Sequence, residues 1–175
     1  MATTISAHLQ GGSWLLSDTP DVFSPERLTD DHRMIAATAY AFMAKEVIPV
    51  IDQLEAKDWA LARTLISKAG LLGLVGSDVP EDLGGVGLDK AGSGLVGEAV
   101  GWSASAATTF GAQTGLAIIP ILCFGTDEQK RKYLPAMAKG EVIGCFGLTE
   151  PDFGSNPSGM ITRGVQDGDG WVLNG

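Results

Sequence analysis

Gly144-Cys145-Phe146-Gly147-Leu148-Thr149-Glu150-Pro151-Asp152-Phe153-Gly154-Ser155-Asn156 is the stretch where the character of the chain changes. The apolar run from Val142 to Leu148 that leads into it reads as a buried strand. Pro151 ends ladder pairing, because it has no N–H to donate. Asp152, Gly154, Ser155 and Asn156 supply turn chemistry. Two readings stand side by side. One is a strand that ends in an Asx-type turn. The other is a concave site, in which exposed amides beside the Thr149 and Ser155 hydroxyls meet a phosphate or a polarised ring.

Upstream of this stretch the periodicity is helical. Ser24-Pro25-Glu26 has the chemistry of a helix start, and Thr29 with Asp30 and Asp31 offers a second one. Ile35, Ala39, Phe42 and Glu46 share a stripe, and Pro49 is expected to end that helix. Asp58 caps a second helix that runs to Gly73. Residues 73–87 form a glycine-rich loop with Pro80 and Gly84-Gly85, read as tight backbone packing between helices. No G-x-G-x-x-G follows a strand there, so a Rossmann nucleotide site is not supported. Gly92, Gly94, Gly97 and Gly101 are expected to let backbones approach closely, and a break near Gly101 to Ser105 divides two helices. The helix over roughly 105–123 is apolar nearly all round, which predicts burial. Thr126 or Asp127 caps the next helix, which carries Lys130, Arg131 and Lys132 before Pro135.

Downstream of Gly140 the pattern is that of strands. Val142 to Phe146 reads as the first, Met160 to Val165 as the second and Trp171-Val172-Leu173 as the third. Asp167-Gly168-Asp169-Gly170 is a hairpin signal between the last two. The expected architecture is mainly α. Residues 1–25 form an arm, with Trp14, Leu15 and Leu16 available to dock. Residues 26–140 form an all-α domain, and 141–175 form the opening of an antiparallel β domain. Three strands with an open edge do not close a core, so the chain is expected to be part of a longer protein.

Composition narrows the function classes. Apolar residues make up 45% and charged residues 19%, which suits a packed globular domain rather than a disordered one. The net charge of −9, without a Lys/Arg cluster, argues against a nucleic-acid surface, yet leaves room for a local site that holds a small anion. Cys123 and Cys145 sit in apolar runs and read as buried free thiols. Neither has a His nearby in sequence, so neither a thiol nucleophile nor a metal site is expected. No basic leader with an apolar run opens the chain, and no apolar run approaches the length of a membrane span. The expected location is cytoplasmic.

Four motifs in fixed order carry a family resemblance. They are Pro80-Glu81-Asp82-Leu83-Gly84-Gly85-Val86-Gly87, Phe124-Gly125-Thr126-Asp127-Glu128-Gln129-Lys130, Tyr133-Leu134-Pro135, and Leu148-Thr149-Glu150-Pro151 with Gly154-Ser155. Together they resemble the acyl-CoA dehydrogenase family over roughly residues 30–175. The resemblance implies a helical domain of that family's type followed by the first strands of its middle β domain. It further implies FAD as cofactor, α,β-dehydrogenation of an acyl-CoA thioester in fatty-acid or related oxidation, an electron-transfer flavoprotein as acceptor, and a homotetramer or homodimer. Phe146, Leu148 and Thr149 match positions that pack on and hydrogen-bond the flavin, Gly154 and Ser155 match positions near the cofactor, and Ser155 also matches a substrate contact. Thr109, Ala112 and Leu116 match positions that line the acyl cavity. The family's catalytic base is a Glu beyond Gly175, so Glu150 is expected to be structural and the chain by itself inactive.

Phe153 stands where the family has a small residue, and Asn156 where it has Asp. The strand motif resembles the glutaryl branch, whereas the helix carries no cation between Lys90 and Lys130 to meet a distal carboxylate. The helix touches the distinguishing end of the substrate, which favours plain acyl chains. A glutaryl-type enzyme and a non-catalytic helical interaction domain are the alternatives.

Overall fold

The computed structural model describes residues 24–175. The expected arm, with Trp14, Leu15 and Leu16, therefore lies outside the described residues. The helices are α1 (Asp30–Phe42), α2 (Ile51–Glu55), α3 (Trp59–Leu71), α4 (Lys90–Val100), α5 (Ala104–Gly111), α6 (Ile119–Phe124) and α7 (Asp127–Ala138), followed by β1 (Arg163–Asp167) and β2 (Gly170–Asn174).

Side-chain caps set where the long helices begin. Thr29, Asp58, Asp89, Ser103 and Thr126 each accept a backbone N–H from the first turn of α1, α3, α4, α5 and α7 in turn. A cap of this kind contributes about 1 kcal/mol. At α1 and α7 the bond is returned: His32 Nδ1 accepts from the Thr29 amide at 3.1 Å, and Gln129 Oε1 from the Thr126 amide at 2.8 Å. His32 is buried, and its other nitrogen faces Asp89 Oδ1 at 2.8 Å. Asp89 also accepts from the Gly92 amide at 3.0 Å, so one carboxylate ties together the N-termini of α1 and α4. That amide, with the His32 ring second, holds the Asp89 carboxyl below the usual range.

Several expectations need correction. Ser24 makes no side-chain cap, and Pro25–Arg27 is only a 3-10 turn, so the helix starts at Thr29. Pro49 does not end the first helix. A π turn (Met43–Val47) and a 3-10 turn (Ile48–Val50) carry the chain from α1 into α2. Pro49 falls in the first turn of the 3-10 piece, where an N–H is not needed. Of the α4 glycines only Gly92 is closely approached, by Leu88 and His32, while Gly94 and Gly97 face open space.

α1 packs chiefly on α4, and the core gathers Met43, Leu74, Val79, Val96, Ile118 and Leu134, all fully buried. The glycine-rich loop does pack tightly. Gly85 lies so close to Val79 that a Cβ would run into the Val79 carbonyl, and the Gly85 and Gly87 amides donate to the Pro80 and Val79 carbonyls at 3.1 and 2.9 Å. The α3 helix stops at Leu71, and Gly73 takes φ +76, which a side chain resists.

Two helical runs, Asp30–Glu55 and Ala104–Phe124, are long and apolar enough to cross a membrane by length and composition, contrary to the sequence reading. In the first, helix continues past Pro49, where the sequence is expected to end it; the second covers the apolar helix expected over roughly 105–123. Both runs send residues into the helical core, among them Ala39, Met43 and Val47 from the first and Phe110, Ala117 and Ile118 from the second.

Candidate functional site

The run Val142–Leu148 is not a strand: no other strand among the described residues pairs with it, and its side chains are mostly exposed. The expected second strand also begins later, at Arg163, because the Ile161 and Thr162 amides are taken up by a carboxylate instead. β1 and β2 form a hairpin in which Asp167 faces Gly170 and Arg163 faces Asn174. Gly168, at φ +58, makes its turn.

What holds Val142–Gly144 in place is Gln113. This side chain is fully buried. Its Nε2 donates to the Met137 carbonyl at 3.0 Å and to the Val142 carbonyl at 2.9 Å, while its Oε1 accepts from the Gly144 amide at 2.7 Å. Gln113 belongs to a π-helical stretch (Ala112–Ile118) that joins α5 to α6. There Gln113, Ala117 and Ile118 turn inward, while Leu116 stays half exposed. Gly144 lies against that stretch and α7: a Cβ there would meet Ala117 and, at 2.8 Å, Met137 Cε.

Beyond Gly144 the chain presents Phe146, Leu148, Thr149, Gly154 and Ser155 at the surface. Glu150 and Phe153 exchange backbone hydrogen bonds, both at 3.2 Å, and close a tight turn around Pro151 and Asp152. The turn brings Gly154 back to Thr149, whose Cγ2 lies 3.9 Å from the place of a Gly154 Cβ. Glu150 is engaged with the loop that follows. Its two oxygens accept the Ile161 amide at 2.8 Å and the Thr162 amide at 2.9 Å. These bonds, that to Ile161 first, hold its carboxyl below the usual range. Glu150 thus ties the loop to Ile161 and Thr162. Phe153, the unusual bulky residue, is accommodated because Gly159 lies beneath its ring, where any Cβ would collide. Asn156 accepts the Ser158 hydroxyl at 2.6 Å and keeps a local turn without the charge of Asp.

The five sequence-predicted cofactor residues therefore share one short segment: two apolar side chains, two hydroxyls and a glycine where backbone is open. That donor set fits an isoalloxazine ring, which needs a flat apolar contact and hydrogen bonds at its heteroatom edge. Cys123 and Cys145 are both exposed, not buried as expected. Cys145 lies in the mostly exposed segment Val142–Leu148, whereas Cys123 takes an outward position on α6, whose run is anchored in the core by Ala117 and Ile118.

The predicted substrate residues divide. Thr109 lies in the wall of a cavity of about 360 Å³ between α1, α3 and α5, with Met43, Leu65 and Phe110 among its apolar lining. Ala112 and Leu116 do not line it. Exposed Glu55, Lys57 and Asp58 also line it, and Ser105 donates to Glu55 Oε1 at 2.8 Å. Sequence reading missed Gln113. The available signal was one amide among apolar neighbours, at a position where a hydrocarbon would be expected unless the amide is fully hydrogen-bonded.

The family described as acyl-CoA dehydrogenase, N-terminal domain, matches residues 29–141. The chain belongs to the acyl-CoA dehydrogenase family. A probable acyl-CoA dehydrogenase of Bacillus subtilis (strain 168) is 42% identical over 170 residues, which is 95% of this chain and 29% of that protein. The acyl-CoA dehydrogenase of Bacillus anthracis complexed with FAD superposes with a TM-score of 0.88 at 42% identity, over 95% of this chain and 29% of that one. The glutaryl-CoA dehydrogenase of Mycobacterium smegmatis gives a TM-score of 0.76 at 37% identity, over 86% of this chain and 39% of that one. The chain thus spans well under half the length of each of these acyl-CoA dehydrogenases.

Proposed function

We propose that the protein to which this chain belongs is an FAD-dependent enzyme that dehydrogenates acyl-CoA thioesters across their α and β carbons. The observation that carries the reading is the segment Phe146–Ser155, where apolar and hydroxyl side chains are exposed just beyond the family's helical domain, with Thr149 brought next to Gly154. FAD supplies the redox chemistry, as the acceptor of a hydride. The work of this chain is to orient. Phe146 and Leu148 give the ring an apolar seat, while Thr149 and Ser155 offer hydrogen bonds to it and Ser155 to the substrate. Each Glu150 oxygen is engaged by a backbone amide, which supports a structural rather than a base role. That role falls to a carboxylate outside this chain.

Plain acyl chains are the proposed substrates. The cavity beside Thr109 is lined mainly by hydrocarbon, and each methylene buried there gains about 0.8 kcal/mol. A distal carboxylate would lose water there, and Lys57, the cation of the lining, is exposed and flanked in the same lining by Glu55 and Asp58. Thr109 in the cavity wall makes it the first acyl contact of this proposal, with Ala112 and Leu116 further along the same helical run. An electron-transfer flavoprotein as acceptor, a homodimeric or homotetrameric assembly, a part in fatty-acid β-oxidation and a cytoplasmic location complete the proposal, on the family resemblance.

The test uses the whole protein, purified with its flavin, and an electron-accepting dye. Acyl-CoAs of graded length should reduce the flavin, and glutaryl-CoA should do so less efficiently. Glutaryl-CoA as the best substrate would overturn the plain-chain reading, and no reduction by any acyl-CoA would overturn the enzyme reading. Thr149→Ala should weaken FAD binding by about 0.5–1.5 kcal/mol, the range for one hydrogen bond, with the helical fold intact.

A further inference from the structure

We infer that Gln113 is a positioning residue: it locks the start of the flavin-facing segment onto the helix that carries the acyl-side residues, so that cofactor and substrate contacts are set from one point. The inference rests on the proposed function for the word flavin, and on geometry alone for the lock.

Three features make the lock more than a satisfied core amide. First, all three bonds of Gln113 leave its own helix. They reach Met137 at the end of α7 and Val142 and Gly144 in the segment beyond it, at 2.7 to 3.0 Å. Second, Val142–Leu148 has no partner strand among the described residues, so a ladder does not place it. Its start is also tied through the Val142 amide, which donates to the Ala136 carbonyl at 3.2 Å. The Gly144 amide, two residues before Phe146, is held by Gln113 Oε1 itself. Third, Gln113 sits in a π-helical stretch, a costly deviation that recurs at functional sites. The same stretch begins at Ala112, one turn beyond Thr109. A shift of Gln113 therefore moves Gly144 on one side and the Thr109–Leu116 face on the other.

The bond pattern also dictates which replacements fail. Two donors and one acceptor are needed in fixed places. A methionine has similar length and no hydrogen bond to offer. A glutamate keeps the acceptor for Gly144 but turns an anion toward two carbonyl oxygens, and only its protonated form returns one donor.

The experiment has two arms. In the 175-residue chain, amide hydrogen exchange is measured for wild type, Gln113→Met and Gln113→Glu. The lock predicts at least tenfold faster exchange at Gly144 and Val142 in Gln113→Met, with core amides of α3 and α7 unchanged. In Gln113→Glu, exchange corrected for its intrinsic pH dependence should be fast at pH 8 and slower at pH 5, a signature that loss of packing does not produce. Unchanged exchange at Gly144, or a rise shared equally by all helices, would overturn the lock. In the whole protein with FAD, Gln113→Met should weaken flavin affinity at least tenfold and shift its visible spectrum. An altered Gly144 amide with unaltered FAD affinity and spectrum would overturn the positioning role. A wild-type protein that binds no FAD would instead remove the proposed function and leave the exchange result standing.

Discussion

Between Asp30 and Gly140 the chain is held by burial, with Met43, Leu74, Val79, Ile118 and Leu134 wholly out of water. From Glu141 to Gly175 no residue is buried, and Val142, Phe146, Val165, Trp171 and Leu173 all stand in solvent. The second region keeps its shape through hydrogen bonds to side chains instead. Gln113 fixes its beginning, Glu150 ties its loop to Ile161 and Thr162, and the hairpin pairs with itself. The residues proposed to meet the cofactor lie in this second region. A contact face must stay accessible to its ligand, so hydrophobic burial is not available to order it. A rigid, buried scaffold that reaches out with polar side chains meets both needs.

The contrast makes stability predictions, and the largest belongs to the buried half. Leu134→Ala removes a side chain with no exposed surface and leaves a cavity. We expect a loss of about 3 kcal/mol, within the usual range for such truncations, read from urea unfolding of the chain. A loss below about 1 kcal/mol would mean that the helical half is not a packed core. Next comes Gly85→Ala, which forces a Cβ into the Val79 carbonyl. Backbone must shift to admit it, so we expect about 2 kcal/mol, whereas Ala at the exposed helical Gly97, which faces open space, should instead gain about 0.5–1 kcal/mol.

These two regions also differ in how far the sequence discloses them. The caps at Thr29, Asp58, Asp89, Ser103 and Thr126 follow local rules, so helix starts are readable from a few residues; only Asp89 and Ser103 were not singled out. The turn at Gly168 was readable for the same reason. Local rules do not say what covers an apolar run. Val142–Leu148 has the composition of a strand, but strand formation requires a partner, and the described residues hold none. The misplaced burial of Cys145 has the same origin, while Cys123 is exposed because it takes an outward position on a helix that does pack on the core. At Pro49 the rule failed because a 3-10 turn placed the proline where no N–H was needed. For the proposed site, the motif is what points to Phe146 through Ser155, whereas the tie through Gln113 spans 31 residues to Gly144 and only the fold reveals it.

Acid should separate the regions as well. The Glu150 carboxyl is held low by the Ile161 amide, then by Thr162. A carboxyl whose folded value is depressed contributes order that is complete above the ordinary carboxylate range. That order is lost as pH falls through the folded value. The Ile161 and Thr162 amides should therefore lose protection in acid, after correction for intrinsic exchange, before the amides of α3 and α7. Glu150→Gln should show that loss already at neutral pH. Loss of protection everywhere at one pH would mean that the two regions unfold together.

The smallest expected effect is at Trp171. Its ring is 69% exposed and it stands opposite Gln166 on the hairpin. A tryptophan is the largest apolar side chain available, so its removal from a packed site would cost about 3–5 kcal/mol. Here most of that surface is in water before and after unfolding, and only the cross-strand contact is lost, a matter of about 0.2–1 kcal/mol. The hairpin has two strands and no covering layer among the described residues, and such a unit is marginal by itself. Trp171→Ala should therefore leave the urea midpoint of the helical half unchanged, while raising exchange only at the β1 and β2 amides. An effect on the midpoint as large as that of Leu134→Ala would show that the hairpin packs against the helices in solution. The division between a buried scaffold and an exposed, hydrogen-bonded contact region would then be wrong.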